Sequence, residues 1–314
     1  MAKLIYKYFG PSLADVALSE NGATLKFSLP KDFNDPYELF LTVDFKADPG
    51  ALACYQEVIG EIPQLPTTCF SSSPAISPMW AHYGLNVTGF VVEFNEELLT
   101  EAFPDAQFGD LTYRDSANEG LTEMLYRVHV IKKPRYTYFL QGGVFHAAYY
   151  TKTSAWAYEL ERRMIVEGKD VRAAANLLLL DVPANCVTAI VAGARAEPNL
   201  VDVLKKRAVD FGCDFYQMQI GKTQIAPFFL DAEGFTHIFD GEAIVPAENS
   251  CEKCNEPLEA DQEQCSWCMI TEEHRTEAAA GNVYRILDRM GALDGYIESM
   301  NEITEKYNKS RARS

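Results

Sequence analysis

Apolar and polar residues alternate along residues 152–166, KTSAWAYELERRMIV, and the rest of the chain is organised around this stretch. A period of two predicts a strand. Trp156, Tyr158, Leu160, Met164 and Val166 then share one face, with Arg162 the exception, and Glu159, Glu161 and Arg163 share the other. The first face suits a core. The second crowds two carboxylates and a guanidinium, and Arg163 offsets only part of the repulsion between like charges. Such a face is either a solvated ladder of ion pairs or the floor of a site.

Further strands are predicted over 4–9, 24–29, 88–94, 111–114, 177–182, 186–192 and 214–220. Helical periodicity marks 12–20, 51–62, 118–130 and 197–211, and Asn95 caps a helix over 95–102. The aromatic stretch 131–150 holds Gly142-Gly143 and reads as a helix followed by a loop. Asn34-Asp35-Pro36 is turn chemistry, because the short polar side chains bond nearby backbone and proline stops a strand. Strands dominate and helices do not strictly alternate with them. The expected fold is α+β, around a mixed or antiparallel-rich sheet. Residues 272–309 form a long helical tract. Its apolar stripes are Val283, Ile286, Leu287 and Met290, then Leu293, Ile297, Met300 and Ile303, with Gly291 and Gly295 marking a break. Packing of this tract onto the main domain is the first expectation; a helix for a protein partner or a second copy is the other.

The 314 residues are enough for a sizeable core. There is no run of 18 apolar residues, and the start MAKLIYKYFG is too briefly apolar for a signal peptide, so a cytoplasmic protein away from membranes is expected. The formal charge of −17 repels nucleic acid at long range. The basic clusters Lys132/Lys133/Arg135, Lys205/Lys206/Arg207 and Lys309/Arg311/Arg313 read as solvated surface. Of eight cysteines, Cys54, Cys69, Cys186 and Cys213 are scattered and read as reduced thiols. The other four form two C-x2-C knuckles, Cys251/Cys254 and Cys265/Cys268, ten residues apart. Two knuckles complete a tetrahedral thiolate site for zinc, and four thiolates leave no open position, so the metal is structural. The knuckles' surroundings are acidic, with Glu252, Glu256, Glu259, Asp261 and Glu263 against Lys253, which suits a clip or a protein-docking module better than a nucleic-acid finger. The expected division is a core domain over 1–245, a zinc ribbon over 246–271 and a helical segment over 272–314.

Four islands stand in order: IYKYF at 5–9, FNDPYE at 33–38, CFS to MWAHYG at 69–84, and KTSAWAYELERR at 152–163. Together, with Gly89, they resemble an uncharacterised family of bacterial and phage proteins, over roughly residues 4–220. The layout is similar, remotely, to the ADP-ribosyltransferase fold. That resemblance implies NAD as substrate, with Tyr6, Lys7 and Tyr8 on a first strand, then Ser71, His82 and Tyr83, then Glu159 and Glu161 as an E-x-E pair. The chain departs from the superfamily pattern where Lys7 stands for the usual His or Arg. Ser71-Ser72-Ser73 only echoes its Ser-Thr-Ser motif.

The implied chemistry needs a carboxylate beside the ribose to stabilise an oxocarbenium-like state, and a second one to orient or deprotonate the acceptor. Glu161 takes the first role and Glu159 the second, an assignment that can be reversed, with Tyr83 and His82 beside them. Tyr6, Lys7, Tyr8, Asn34, Asp35, Glu38, Ser71, Trp80 and Arg163 are the expected contacts to the dinucleotide. Bland roles stand beside these: Trp80 in the core, His82 in a structural hydrogen bond, Lys7 paired with Glu38, Glu159 or Glu161, and Asp35 and Glu38 holding a turn. Protein, nucleic acid and small molecule all stay open as acceptors, and a toxin, defence or counter-defence factor is the expected setting. Two other functions compete. One is a non-catalytic interaction protein working through the ribbon and terminal helices. The other is a hydrolase or nuclease with Asp35, Glu38, Glu159 and Glu161 around a divalent metal.

Overall fold

The computed structural model describes residues 3–35, 37 and 41–311. Among them, ten strands make one sheet. They are β1 (Leu4–Phe9), β2 (Thr67–Ser71), β3 (Phe90–Asn95), β4 (Gln107–Asp110), β5 (Glu161–Ile165), β6 (Val187–Ala192), β7 (Asp214–Gln219), β8 (Phe228–Asp231), β9 (Thr236–Phe239) and β10 (Ile244–Pro246). Their spatial order is β10-β9-β8-β7-β6-β3-β1-β2-β5-β4. The β6–β7 pair is parallel, joined through the helix Pro198–Phe211, and the remaining pairs are antiparallel. This is the mixed, antiparallel-rich α+β arrangement expected. The unbroken apolar run FVVEF makes β3 a central strand, since both of its faces are buried.

Alternation along β1 sends Ile5 and Phe9 to one side, where Phe70, Phe94, Met164 and Leu204 pack, and Tyr6 and Tyr8 to the other, with Trp80, Val91, Val191 and Met218. A four-stranded sheet of Leu18–Ser19, Gly22–Phe27, Leu177–Pro183 and Arg172–Ala174 covers the first side with Leu25, Phe27, Leu180 and Val182. The helices Pro49–Ile59, Glu119–Ile131 and Pro134–Tyr150 form a separate layer around Val43, Ala51, Leu125, Val128, Leu140 and Val144.

Several elements differ from expectation. Residues 12–20 are not one helix. A short helix Ala14–Ala17 gives way to Leu18–Ser19, which pairs with Gly22 and Ala23. The expected loop before residue 150 is absent, because Pro134–Tyr150 is a single helix. Gly143 is there for close approach, since a Cβ on it would lie 2.5 Å from Leu121 Cδ2. Within the stretch 152–166, Lys152 closes a two-residue strand Thr151–Lys152 and the only longer strand is Glu161–Ile165. Ser154–Glu159 winds into a 3-10 helix, and Leu160 turns the chain with a left-handed backbone at φ 45° and ψ 50°. Trp156 and Tyr158 are therefore half-buried and Leu160 exposed, while Met164 and Val166 reach the core.

The terminal tract is three helices, α1 (Glu272–Ala280), α2 (Val283–Arg289) and α3 (Leu293–Arg311). Gly291, at φ 67°, makes one break, whereas Gly295 lies inside α3. No described residue of 272–311 is buried, so the tract does not pack onto the main domain as first expected. No helix among the described residues is long and apolar enough to cross a membrane.

Candidate functional site

The site grows from a defect in the sheet. β1 pairs with β3 through six residue pairs, but with β2 only where Tyr6 faces Ser71. Beyond that point the two strands part. Ser71 in turn faces Glu161 on β5, so Tyr6, Ser71 and Glu161 form a row across three strands, on one face of the sheet. A cavity of about 330 Å³ lies at the split. It is lined by Tyr6, Lys7 and Tyr8 of β1, Asn34 and Asp35 of the turn, Ser71 of β2, and Tyr83, Lys152, Glu159 and Glu161.

Lys152 is the hub. Its ammonium donates to Glu159 Oε2 at 2.6 Å and to Glu161 Oε2 at 2.8 Å, and lies 4.8 Å from the centre of the Trp156 ring. The other oxygen of Glu161 accepts from Arg163 Nε at 2.7 Å, and the guanidinium also donates to the Tyr149 carbonyl at 2.7 Å. Arg163 is fully buried, with Phe33 stacked 5.2 Å away. The other oxygen of Glu159 accepts from the Tyr83 hydroxyl at 2.7 Å. Two carboxylates of opposite character result. Burial pushes Glu161 up, but Arg163 and Lys152 outweigh it and hold the carboxyl at about 2. Burial also pushes Glu159 up, and here Lys152 and Tyr83 do not cancel it, so its pKa stays raised. Lys152 is raised in turn: burial opposes its charge, and Glu161 and Glu159 more than compensate.

The 3-10 turn brings Glu159 beside Glu161 although the two are not on one strand. Ser71 Oγ donates to the Glu159 carbonyl at 2.7 Å, and the amide of Ser72 donates to the Leu160 carbonyl at 3.0 Å, so β2 fastens the turn. Tyr113 accepts the Glu161 amide at 2.7 Å. At the far side of the split, Lys7 Nζ donates to Thr68 Oγ1 at 2.9 Å and to the Cys69 carbonyl at 2.6 Å. Burial lowers its pKa, opposed by the nearby Cys69 and Glu161.

Some expected site residues stand elsewhere or do structural work. Trp80 is buried outside the cavity lining; its Nε1 donates to the Pro74 carbonyl at 2.7 Å. His82 is exposed on the helix Ser77–His82, against Tyr158 rather than in the cavity. Tyr8 lines the cavity but donates to the Ser73 carbonyl at 2.8 Å. Among the described residues, Lys7 takes neutral acceptors rather than Glu159 or Glu161. Arg163 lies behind Glu161 rather than in the lining. Asp35 accepts from the Tyr37 amide at 2.9 Å, as a turn residue does. Glu38 lies outside the described residues. Lys152 and Tyr113 were not foreseen as site residues, although Lys152 opens the last island.

A second constellation lies beyond the sheet. The sulfurs of Cys251, Cys254, Cys265 and Cys268 lie within 4.8 Å of one another and could hold a metal ion, a donor set consistent with zinc. Knuckle geometry is present: the Cys265 amide points at Cys251 Sγ and the Cys268 amide at Cys265 Sγ, each at 3.4 Å. Glu256, expected among the acidic surface residues, is buried and docks this module. Its Oε1 accepts from the amides of Lys222 and Thr223, at 2.7 and 2.6 Å, and from the Thr223 hydroxyl at 2.8 Å. Thr236 Oγ1 donates to the Asn255 carbonyl at 2.8 Å.

Comparison with curated proteins and with solved structures gives no match. A family model described as a protein of unknown function (DUF2971) matches residues 79–164, a span running from the helix that carries Trp80 and His82 to the strand that carries Glu161 and Arg163.

Proposed function

We propose that the cavity at the split binds NAD and that the chain transfers ADP-ribose from it. The observation that supports this most is the collection of Tyr6, Lys7, Tyr8, Asn34, Asp35, Ser71, Tyr83, Glu159 and Glu161, drawn from four separate islands, around one opening in the sheet. In this reading the bond between ribose C1′ and the nicotinamide nitrogen breaks, and nicotinamide leaves with the electron pair. Glu161, kept ionised by Arg163 and Lys152, supplies negative charge beside the developing oxocarbenium. Glu159 takes the proton from the acceptor as it attacks C1′, a role that fits a carboxyl with a raised pKa. Aromatic edges of the cavity suit a planar nicotinamide.

Lys152 counts against the metal-dependent alternative. Its ammonium already occupies the position between Glu159 and Glu161 that a divalent ion would take. For the four cysteines, zinc in a structural role is the reading the closed thiolate set favours.

The test is a thermal-shift titration with NAD, run beside Glu161→Gln and with magnesium alone. The expected result is a saturable rise in Tm with NAD, since a ligand that binds the folded state stabilises it, together with nicotinamide release that Glu161→Gln abolishes. A folded Glu161→Gln variant with unchanged nicotinamide release would sink the assignment. A response to magnesium in place of NAD would return the metal-dependent reading to first place.

A further inference from the structure

No described side chain of the three terminal helices is fully buried, yet α3 carries a seam. Leu293, Tyr296, Met300, Ile303 and Tyr307 follow one another at spacings of 3, 4, 3 and 4, the a/d repeat of a coiled coil. Leu293 is half-exposed and the other four are exposed, although Tyr296 meets the Tyr284 ring edge-on and Tyr307 lies under Arg311. Ile297 flanks the seam, and Val283 and Ile286 on α2, with Met290 just past its end, are exposed apolar residues as well. Isolated exposed apolar residues need no explanation, but a contiguous stripe at heptad spacing does.

The charges of α3 are sorted along its length. Asp294, Glu298, Glu302 and Glu305 come first, with no basic residue among them, and Lys306, Lys309 and Arg311 follow; Lys306 and Lys309 reach Glu302 and Glu305 one turn back, at 3.8 and 3.3 Å, in exposed pairs, and Asp294 and Glu298 have no basic residue one turn away. The helix dipole alone favours that order. It also decides how two copies can lie together. A parallel pair would set acid beside acid and base beside base. An antiparallel pair sets the Lys306–Arg311 end of one copy against the Asp294–Glu298 end of the other and opposes the two dipoles. A two-fold axis near Met300 then matches every seam residue with a seam residue, as a self-complementary interface requires.

We infer that α3 is a homodimerisation helix that pairs antiparallel with α3 of a second copy. The cover for the seam is therefore this chain itself, and α2 widens the contact toward the area a specific dimer needs.

Light scattering coupled to size exclusion, on the full chain, tests this. The expected mass is about twice the 35.1 kDa of one chain. Met300→Glu with Ile303→Glu should return it to one chain with an unchanged circular-dichroism spectrum, since neither side chain is buried. Lys306→Glu with Lys309→Glu should weaken self-association roughly ten-fold, and adding Asp294→Lys and Glu298→Lys should restore it. A wild-type chain that runs as a monomer at 100 micromolar overturns the inference. So does a dimer indifferent to the seam substitutions. A dimer unaffected by charge reversal overturns the antiparallel arrangement. These outcomes are independent of NAD.

Discussion

Replacing Lys152 by methionine is the sharpest perturbation of the candidate site. The change keeps most of the side-chain volume and removes the one group that touches both carboxylates, at 2.6 and 2.8 Å. All three side chains are at most 9% exposed, so solvent cannot replace the lost charge. Glu161 keeps Arg163; Glu159 keeps only the hydroxyl of Tyr83. Removing one partner from a buried ion pair costs about 3–5 kcal/mol. For a domain of this size that corresponds to a fall in Tm of roughly 6–20 °C.

The pH dependence has a definite sign. Glu159 has its folded pKa above the ordinary carboxyl value of 4.5, so its contribution is full below 4.5 and is lost as pH rises through the folded value. Without Lys152 that folded value climbs further, and acidification from pH 8 to pH 5 should recover part of the loss. Glu161 runs the other way: folded at about 2 against 4.5, its contribution is present above 4.5 and is lost as pH falls toward 2. Wild-type and variant melts at pH 8, 6 and 5 check this, with Lys152→Met/Glu159→Gln as a second variant that should be more stable than the single one. A Lys152→Met protein melting within 2 °C of wild type at pH 8, or one that weakens as pH falls to 5, would refute the reasoning.

Metal analysis of the purified chain should find one zinc ion, and Cys254→Ser or strong chelation should remove it and expose the segment around Lys222 and Thr223 to protease, because Glu256 holds that segment from the ribbon. Gly89→Ala should cost roughly 3 kcal/mol in urea unfolding, since its Cβ would lie 2.0 Å from the Phe9 carbonyl oxygen; Gly142→Ala, with open space around it, should stabilise by about 0.5–1 kcal/mol.

The residues best read from sequence were those whose neighbours are close in the chain. Two C-x2-C knuckles declare a shared ligand site through spacing alone, and Glu161 and Arg163 share a face because a strand has period two. Glu159 lies near Glu161 for a reason that alternation does not carry: the alternating pattern runs on through a 3-10 turn, and the left-handed Leu160 is a backbone event that leucine does not advertise. Lys152 is invisible to the pattern because a lysine just before a turn carries no periodic signal, and its value comes from partners seven and nine residues on. The split between β1 and β2 is long-range pairing, set by residues some sixty positions apart. The terminal stripes were legible as apolar, but the same pattern serves a core or a second chain.

The single pair joining β1 to β2 has a mechanical consequence. By main-chain pairing the ten strands divide into a leaf of seven and a leaf of three, joined where Tyr6 faces Ser71, with the Lys7 side chain reaching across the gap. Tilting one leaf against the other changes the width of the opening while breaking few main-chain bonds. A ligand in the opening would touch both leaves and act as a splint, and amide exchange along β2, β5 and β4 should then slow, a change that hydrogen-exchange measurement with and without NAD checks.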